Sequence, residues 1–174
     1  MSGRTSGDTV VGEAFEGEGA DCAHVNVVLG RKGSPTEGAF VGALASPTPG
    51  HVAFLTVVRP DVPVRPFTLF VNKATLSGDE HSRLTWGAAQ AGIASGVLDA
   101  VADGVIPAGD VDDLLLLAAV WVSPEAADEE AIYRNNRAAV LRALTRATRA
   151  QRPIEEAVAL RDEPANPYFR SRPT

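Results

Sequence analysis

The chain is poor in the residues that staple small proteins or bind metals in them. Cys22 is the one cysteine in 174 residues, which excludes an internal disulfide and a metal site built from thiolates. A lone cysteine reads first as a small buried hydrophobe. Positive charge is also scarce. The formal net charge is −6, against the basic excess on which general nucleic-acid binding depends, and it offers no attraction to an anionic membrane surface. The longest apolar run, Leu114 to Val122, is too short to span a bilayer. Residues 1–9 are small and polar, with no apolar segment behind a basic start, so a cytoplasmic location is the default expectation. No repeat or low-complexity run is present. No Gly-x-Gly-x-x-Gly lies in a strand–turn–helix setting, no Gly-Lys-Ser/Thr is there to cradle phosphate, and no serine sits on a strand-to-helix elbow. The three histidines lack metal-ligand spacing. Lysine occurs only at Lys32 and Lys73.

What remains is an ordinary globular composition, 45% hydrophobic and 22% charged. One domain is expected over 10–161, between a flexible N-terminal stretch, 1–9, and a C-terminal tail, 162–174. Val10 to Glu16 and Ala23 to Gly30 read as strands joined by a Gly/Glu loop. Ser34-Pro35-Thr36-Glu37 is a capping box opening a helix through Ala45, with Ala39, Phe40, Ala43 and Leu44 facing inward. His51 to Val58 is a third strand. The proline-rich Arg59 to Pro66 is an extended connection, and Phe67 to Leu76 is a fourth strand. Asp79 to Asp103 is mostly helical and stops at Gly104. Gly87, Gly92 and Gly96 in its interior imply close approach of a backbone, a ligand or a neighbouring subunit. Leu114 to Val122 is a strand buried on both faces, and Ser123-Pro124-Glu125 starts the last long helix. The order β-β-α-β-β-α-β-α predicts a two-layer α/β sandwich with a mixed sheet.

In the second strand Ala23, Val25, Val27 and Leu29 alternate with His24 and Asn26. The imidazole and the carboxamide therefore project side by side away from the core. His24 is either a histidine satisfied by a neighbour at a strand end or an acid/base that works near neutral pH. Asn26 can hydrogen-bond a ligand amide or hydroxyl. Lys73, projecting with Thr75, can hold an anion or polarise an oxygen. Trp86 to Gln90 offers an aromatic face and an amide suited to a flat heteroaromatic ligand. His51 and His81 read as structural.

Several collinear segments together resemble the formaldehyde-activating enzyme family. They are Gly12-Glu13-Ala14 with Ala23-His24-Val25, then Val71-Asn72-Lys73-Ala74-Thr75, then Trp86-Gly87-Ala88-Ala89-Gln90. Val101 to Pro107 and Ser123 to Ala127 extend the match. The resemblance implies condensation of formaldehyde with tetrahydromethanopterin, or a related reduced pterin, to the methylene derivative and water. The pterin is then a co-substrate, with no covalently bound cofactor and no metal. It implies a homopentamer whose subunits share a split β-α-β core with GHMP kinases, and a pterin seated between subunits. Position by position it implies His24 as the acid/base, with Asn26, Leu55, Lys73, Thr75 and Gln90 as pterin contacts. This chain departs from the family where it carries Asn26, since the family usually has aspartate there. An amide cannot supply the charge of a carboxylate. The alternative is therefore a non-catalytic paralogue that binds or senses pterin or formaldehyde.

Overall fold

The computed structural model describes residues 9–149, 152–166 and 168–171. The expected N-terminal stretch therefore lies outside the described residues except for Thr9, as do positions 167 and 172–174 of the tail. The elements, in chain order, begin with β1 (Val10–Glu16), β2 (Ala23–Arg31), α1 (Pro35–Ala45) and β3 (Ala53–Leu55). The strands β4 (Val57–Arg59), β5 (Val62–Pro63) and β6 (Phe67–Asn72) follow. Next come α2 (Gly78–Arg83), a widened π-helical segment over Leu84–Ala89, and α3 (Gln90–Ala102). The chain closes with β7 (Leu114–Trp121), α4 (Glu129–Thr148), α5 (Ile154–Ala159), β8 (Ala165–Asn166) and β9 (Phe169–Arg170).

Five strands form one mixed sheet in the order β1-β2-β7-β6-β3. Only β6 and β7 run parallel, joined across one face by the long α2–α3 connection; the other neighbours are antiparallel. Val25, Val27 and Leu29 of β2, Phe70 of β6 and Leu116, Ala118 and Val120 of β7 face α3 and α4 and form the main core. Each fully buried valine, leucine or phenylalanine among them contributes about 1.5–3 kcal/mol. The opposite face is only partly covered. There α1 packs Phe40 against Leu69 and Leu115, leaving the Trp121 end of β7 half-open. The second face of β7 is thus covered along part of its length, not all of it.

Glycine permits the tight packing of the main layer. A Cβ at Gly92 would run into Tyr133 O, and one at Gly96 into Arg137 O and Val140 Cγ1. Of the alternatives raised by those glycines, a neighbouring backbone, that of α4, explains two; Gly87 meets nothing. Gly12 brings β1 equally close to the Ala143 carbonyl of α4.

Several expected boundaries move. Helix α1 buries Thr36, Phe40 and part of Ala43, while Ala39 and Leu44 face outward. The cap is Ser34 accepting from Thr36 N, and Glu37 bonds the Gly33 amide. The third strand breaks at buried Thr56, whose amide still pairs with Thr68 O while β4 turns away to pair with β5. Strand β6 ends at Asn72 because its side-chain amide donates to Gly50 O and Ala74 O, bending the chain there. Lys73 keeps one ladder bond, from its amide to Val120 O at 2.7 Å. Thr75 is beyond the strand and exposed. Helix α4 starts at Glu129, not at Ser123, because Asp128 caps it through Ala131 N. Asp21 fixes the preceding loop by accepting from Ala127 N and Asp128 N. No described helix is long and apolar enough to cross a membrane.

Candidate active site

Strand alternation and antiparallel register build the site on the half-open face. Phe15 of β1 lies directly across from His24, and Trp121 flanks His24 on the other side. Glu13 lies across from Asn26. Strand β1 is held in place by α4: Arg142 pairs with Glu16 at 2.7 Å, and Arg146 bonds the Glu13 carbonyl at 2.6 Å. The Phe15 ring stacks on His24, with centroids 3.8 Å apart and planes 9° from parallel.

Lys73 reaches in from the end of β6. Its Nζ donates to Asn26 Oδ1 at 2.6 Å and lies 3.1 Å from His24 Nδ1. On the other side of the ring, buried Nε2 makes no well-formed hydrogen bond but sits 3.3 Å from Glu13 Oε1. An ammonium can only donate, so Nδ1 is the acceptor and the ring proton of neutral His24 belongs on Nε2, toward the carboxylate. The imidazole is thus held between a negative and a positive group. Burial, and next the Lys73 charge, hold its pKa below the ordinary histidine value, while Glu13 pulls the other way. Burial also pushes the Lys73 amine down to about 8, again opposed by Glu13.

Glu13, His24 and Asn26 open on a cavity of about 700 Å³ whose other walls include Phe15, Trp121 and Tyr168, a size suited to a small organic ligand; Lys73 lies behind them, against His24 and Asn26. Tyr168 returns from the C-terminal segment to close one wall. Its ring meets Phe15 and Trp121 edge-on at 6.3 and 6.5 Å, and its hydroxyl lies 3.5 Å from Cys22 Sγ. Half-buried aromatic faces beside polar groups suit a flat, polar-edged ligand. Among the described residues no cluster of three or more His, Cys, Asp or Glu side chains could hold a metal ion.

Of the residues marked in the sequence, His24, Asn26 and Lys73 come together. Leu55, Thr75 and Gln90 are not among the residues that line the cavity. Leu55 is 39% exposed on edge strand β3, opposite Leu69. Thr75 packs beside Gly50. Gln90 is on α3, across the sheet from His24, and donates to Val57 O at 3.0 Å. His51 bonds Asn72 O, and buried His81 bridges Ser77 N and Val122 O, both structural. Sequence reasoning missed Glu13, Phe15, Trp121 and Tyr168 as parts of the site. The first two share a strand face, but pairing them with His24 needs the β1–β2 register. Nothing local marks Tyr168.

The family described as formaldehyde-activating enzyme (Fae) matches residues 11–169. A 5,6,7,8-tetrahydromethanopterin hydro-lyase of Methanosarcina barkeri is 38% identical over 160 residues, covering 92% of this chain and 90% of the relative. A bifunctional enzyme Fae/Hps of Methanosarcina mazei is 40% identical over 137 residues. That match covers 79% of this chain but only 35% of the relative, so this chain spans about a third of the two-function protein. The corresponding enzyme of Methanothrix thermoacetophila is 34% identical over 160 residues, or 41% of its length. By the extent of these matches the chain belongs to the formaldehyde-activating enzyme family.

Proposed function

We propose that the protein is a carbon–oxygen lyase of one-carbon metabolism that condenses formaldehyde with tetrahydromethanopterin to give the methylene derivative and water. The observation that carries this reading is the His24 imidazole, facing an open cavity and held between Glu13 and Lys73. A carrier nitrogen adds to the aldehyde carbon, and the proton it sheds passes to neutral His24. The imidazolium, stabilised by Glu13, gives that proton to the alkoxide oxygen to make a carbinolamine; the ring then takes a proton from solvent and delivers it to the hydroxyl, which leaves as water. The second carrier nitrogen closes the ring, and the proton it sheds returns to solvent. Such proton transfer contributes roughly 10²–10⁴-fold, and much of the rest comes from holding the reacting atoms together. Asn26 and Lys73 hold polar atoms of the ligands.

Leu55, Thr75 and Gln90 contact the pterin across a boundary between copies of the chain, consistent with their separation from His24. The exposed apolar side chains Val41, Leu44, Val52, Leu55 and Val58 on and beside α1, β3 and β4 support a homo-oligomer. The assembly in this reading is a cytoplasmic homopentamer with a GHMP-kinase-like split β-α-β core, supported by the family resemblance. The purified protein mixed with formaldehyde and tetrahydromethanopterin should form the methylene product well above the spontaneous rate. Pterin binding without acceleration would leave only the binding paralogue.

A further inference from the structure

Lys73 is placed unusually for a lysine. Its backbone is fixed by the Lys73 N to Val120 O bond and by the Asn72 amide, so the side chain leaves a rigid strand end. Its Nζ is half-buried, and its two partners, His24 Nδ1 and Asn26 Oδ1, are both uncharged acceptors. The carboxylate of the network, Glu13, is on the far side of the imidazole. An ammonium has three donor positions, so one is left free of these partners. The site thus combines a desolvated amine lacking an adjacent anion with an adjoining base that can take its proton, the arrangement that makes lysine a nucleophile toward carbonyls.

We propose that Lys73 Nζ captures formaldehyde covalently, with His24 Nδ1 as its proton acceptor and donor, before the one-carbon unit passes to the carrier. This rests on the lyase reading above and replaces its first step, so that the carrier nitrogen meets the methylene carbon of an iminium in place of free aldehyde. Nζ first gives a proton to His24 Nδ1; the freed lone pair forms a C–N bond to the aldehyde carbon while His24 hands that proton to the carbonyl oxygen and takes a second from Nζ, giving a carbinolamine. His24 returns its proton to the hydroxyl, the C–O bond breaks, water leaves, and the nitrogen lone pair forms the C=N bond of an iminium. A carrier nitrogen then adds to the methylene carbon, and Nζ departs with its bonding pair as the second carrier nitrogen closes the ring; the two protons that the carrier nitrogens shed pass through His24 to Nζ and restore the ammonium. Lysine is regenerated, and no oxidant or reductant takes part.

The capture can be trapped because the chain offers only two lysines. The intact protein is exposed at pH 7 to dilute formaldehyde with cyanoborohydride, which reduces an iminium to a methylamine, and methylation is mapped by mass spectrometry. Exposed Lys32 is the internal reference. An amine titrating near 8 has a neutral fraction at pH 7 roughly two- to threehundredfold above that of an ordinary lysine. Its weaker basicity lowers its reactivity per neutral molecule, so Lys73 should methylate at least about tenfold faster than Lys32. In Asn26→Asp an anion adjoins Nζ and keeps it protonated, so labelling of Lys73 should slow toward that of Lys32. Equal rates at the two lysines in the native protein, or an unchanged Lys73 rate in Asn26→Asp, would overturn the proposal. The labelling needs no carrier. Its failure therefore leaves the lyase reading standing, and an absence of accelerated condensation leaves the labelling result standing.

Discussion

Replacing His24 with alanine should lower the accelerated condensation rate by roughly 10²–10⁴-fold, the usual contribution of a positioned acid/base. The loss should appear mainly in kcat, because the cavity walls that receive the pterin remain. The mutation also unstacks Phe15 and removes the partner between Glu13 and Lys73. Folding should survive, since His24 projects from the half-open face while Val25 and Val27 keep the core side of β2. The check is a rate measurement beside a thermal melt. A His24→Ala protein that melts normally and keeps its full rate would remove the imidazole from the mechanism. Spontaneous condensation must be subtracted at every concentration, since both substrates react without a catalyst.

The largest expected effect on stability lies far from the cavity, where α3 crosses α4. Leucine at Gly96 would drive its side chain into the Arg137 carbonyl and Val140. Main-chain atoms of a buried helix cannot swing aside as a flexible side-chain end does. Overpacking of a core typically costs about 1–3 kcal/mol, and a clash with backbone belongs at or above the top of that range. Since small domains are stable by only about 5–15 kcal/mol, Gly96→Leu should lower the urea midpoint sharply and reduce soluble yield. The same change at Gly87, which meets nothing, should cost under about 1 kcal/mol, consistent with the better helix propensity of leucine. Equal stabilities for the two variants would show that α3 and α4 do not pack as described.

These two sites differ in how plainly the sequence announced them. The alternation of β2 was enough to set His24 and Asn26 on the face away from the core, because side-chain period two is a local property of a strand. The glycines of α3 signalled close packing, again locally. The network around His24 was not legible in the same way. Glu13 meets the imidazole only because β1 pairs antiparallel with β2 in one register, and a slip of one residue would turn it to the other face. The loop between them, Gly17 to Cys22, does not by its length select that register. Its geometry is set by Asn135 and by the contacts of Asp21 near the start of α4, more than 100 positions away in sequence. Tyr168 reaches the cavity through a segment that reads as a polar tail. The fourth strand is shorter than its alternation implies for a related reason. Alternation continues past Asn72 in the sequence, but the Asn72 amide bends the chain, so Lys73 enters the site while Thr75 does not accompany it.

Asn26 bears on how the site is tuned. With an amide there, Lys73 has an uncharged partner, and the charge facing the imidazole from β6 is only weakly offset. Both that charge and burial favour a neutral ring, and Glu13 is the carboxylate left to stabilise the imidazolium once it forms.

The most direct test is a nitrogen and carbon NMR titration of the His24 ring in the native protein. The ring should carry its proton on Nε2 near neutral pH, with Nδ1 unprotonated and accepting from Lys73. Its midpoint should lie below the ordinary histidine value of about 6.5. A ring protonated on Nδ1 when neutral, or a midpoint above that value, would contradict an imidazole held neutral between Glu13 and Lys73.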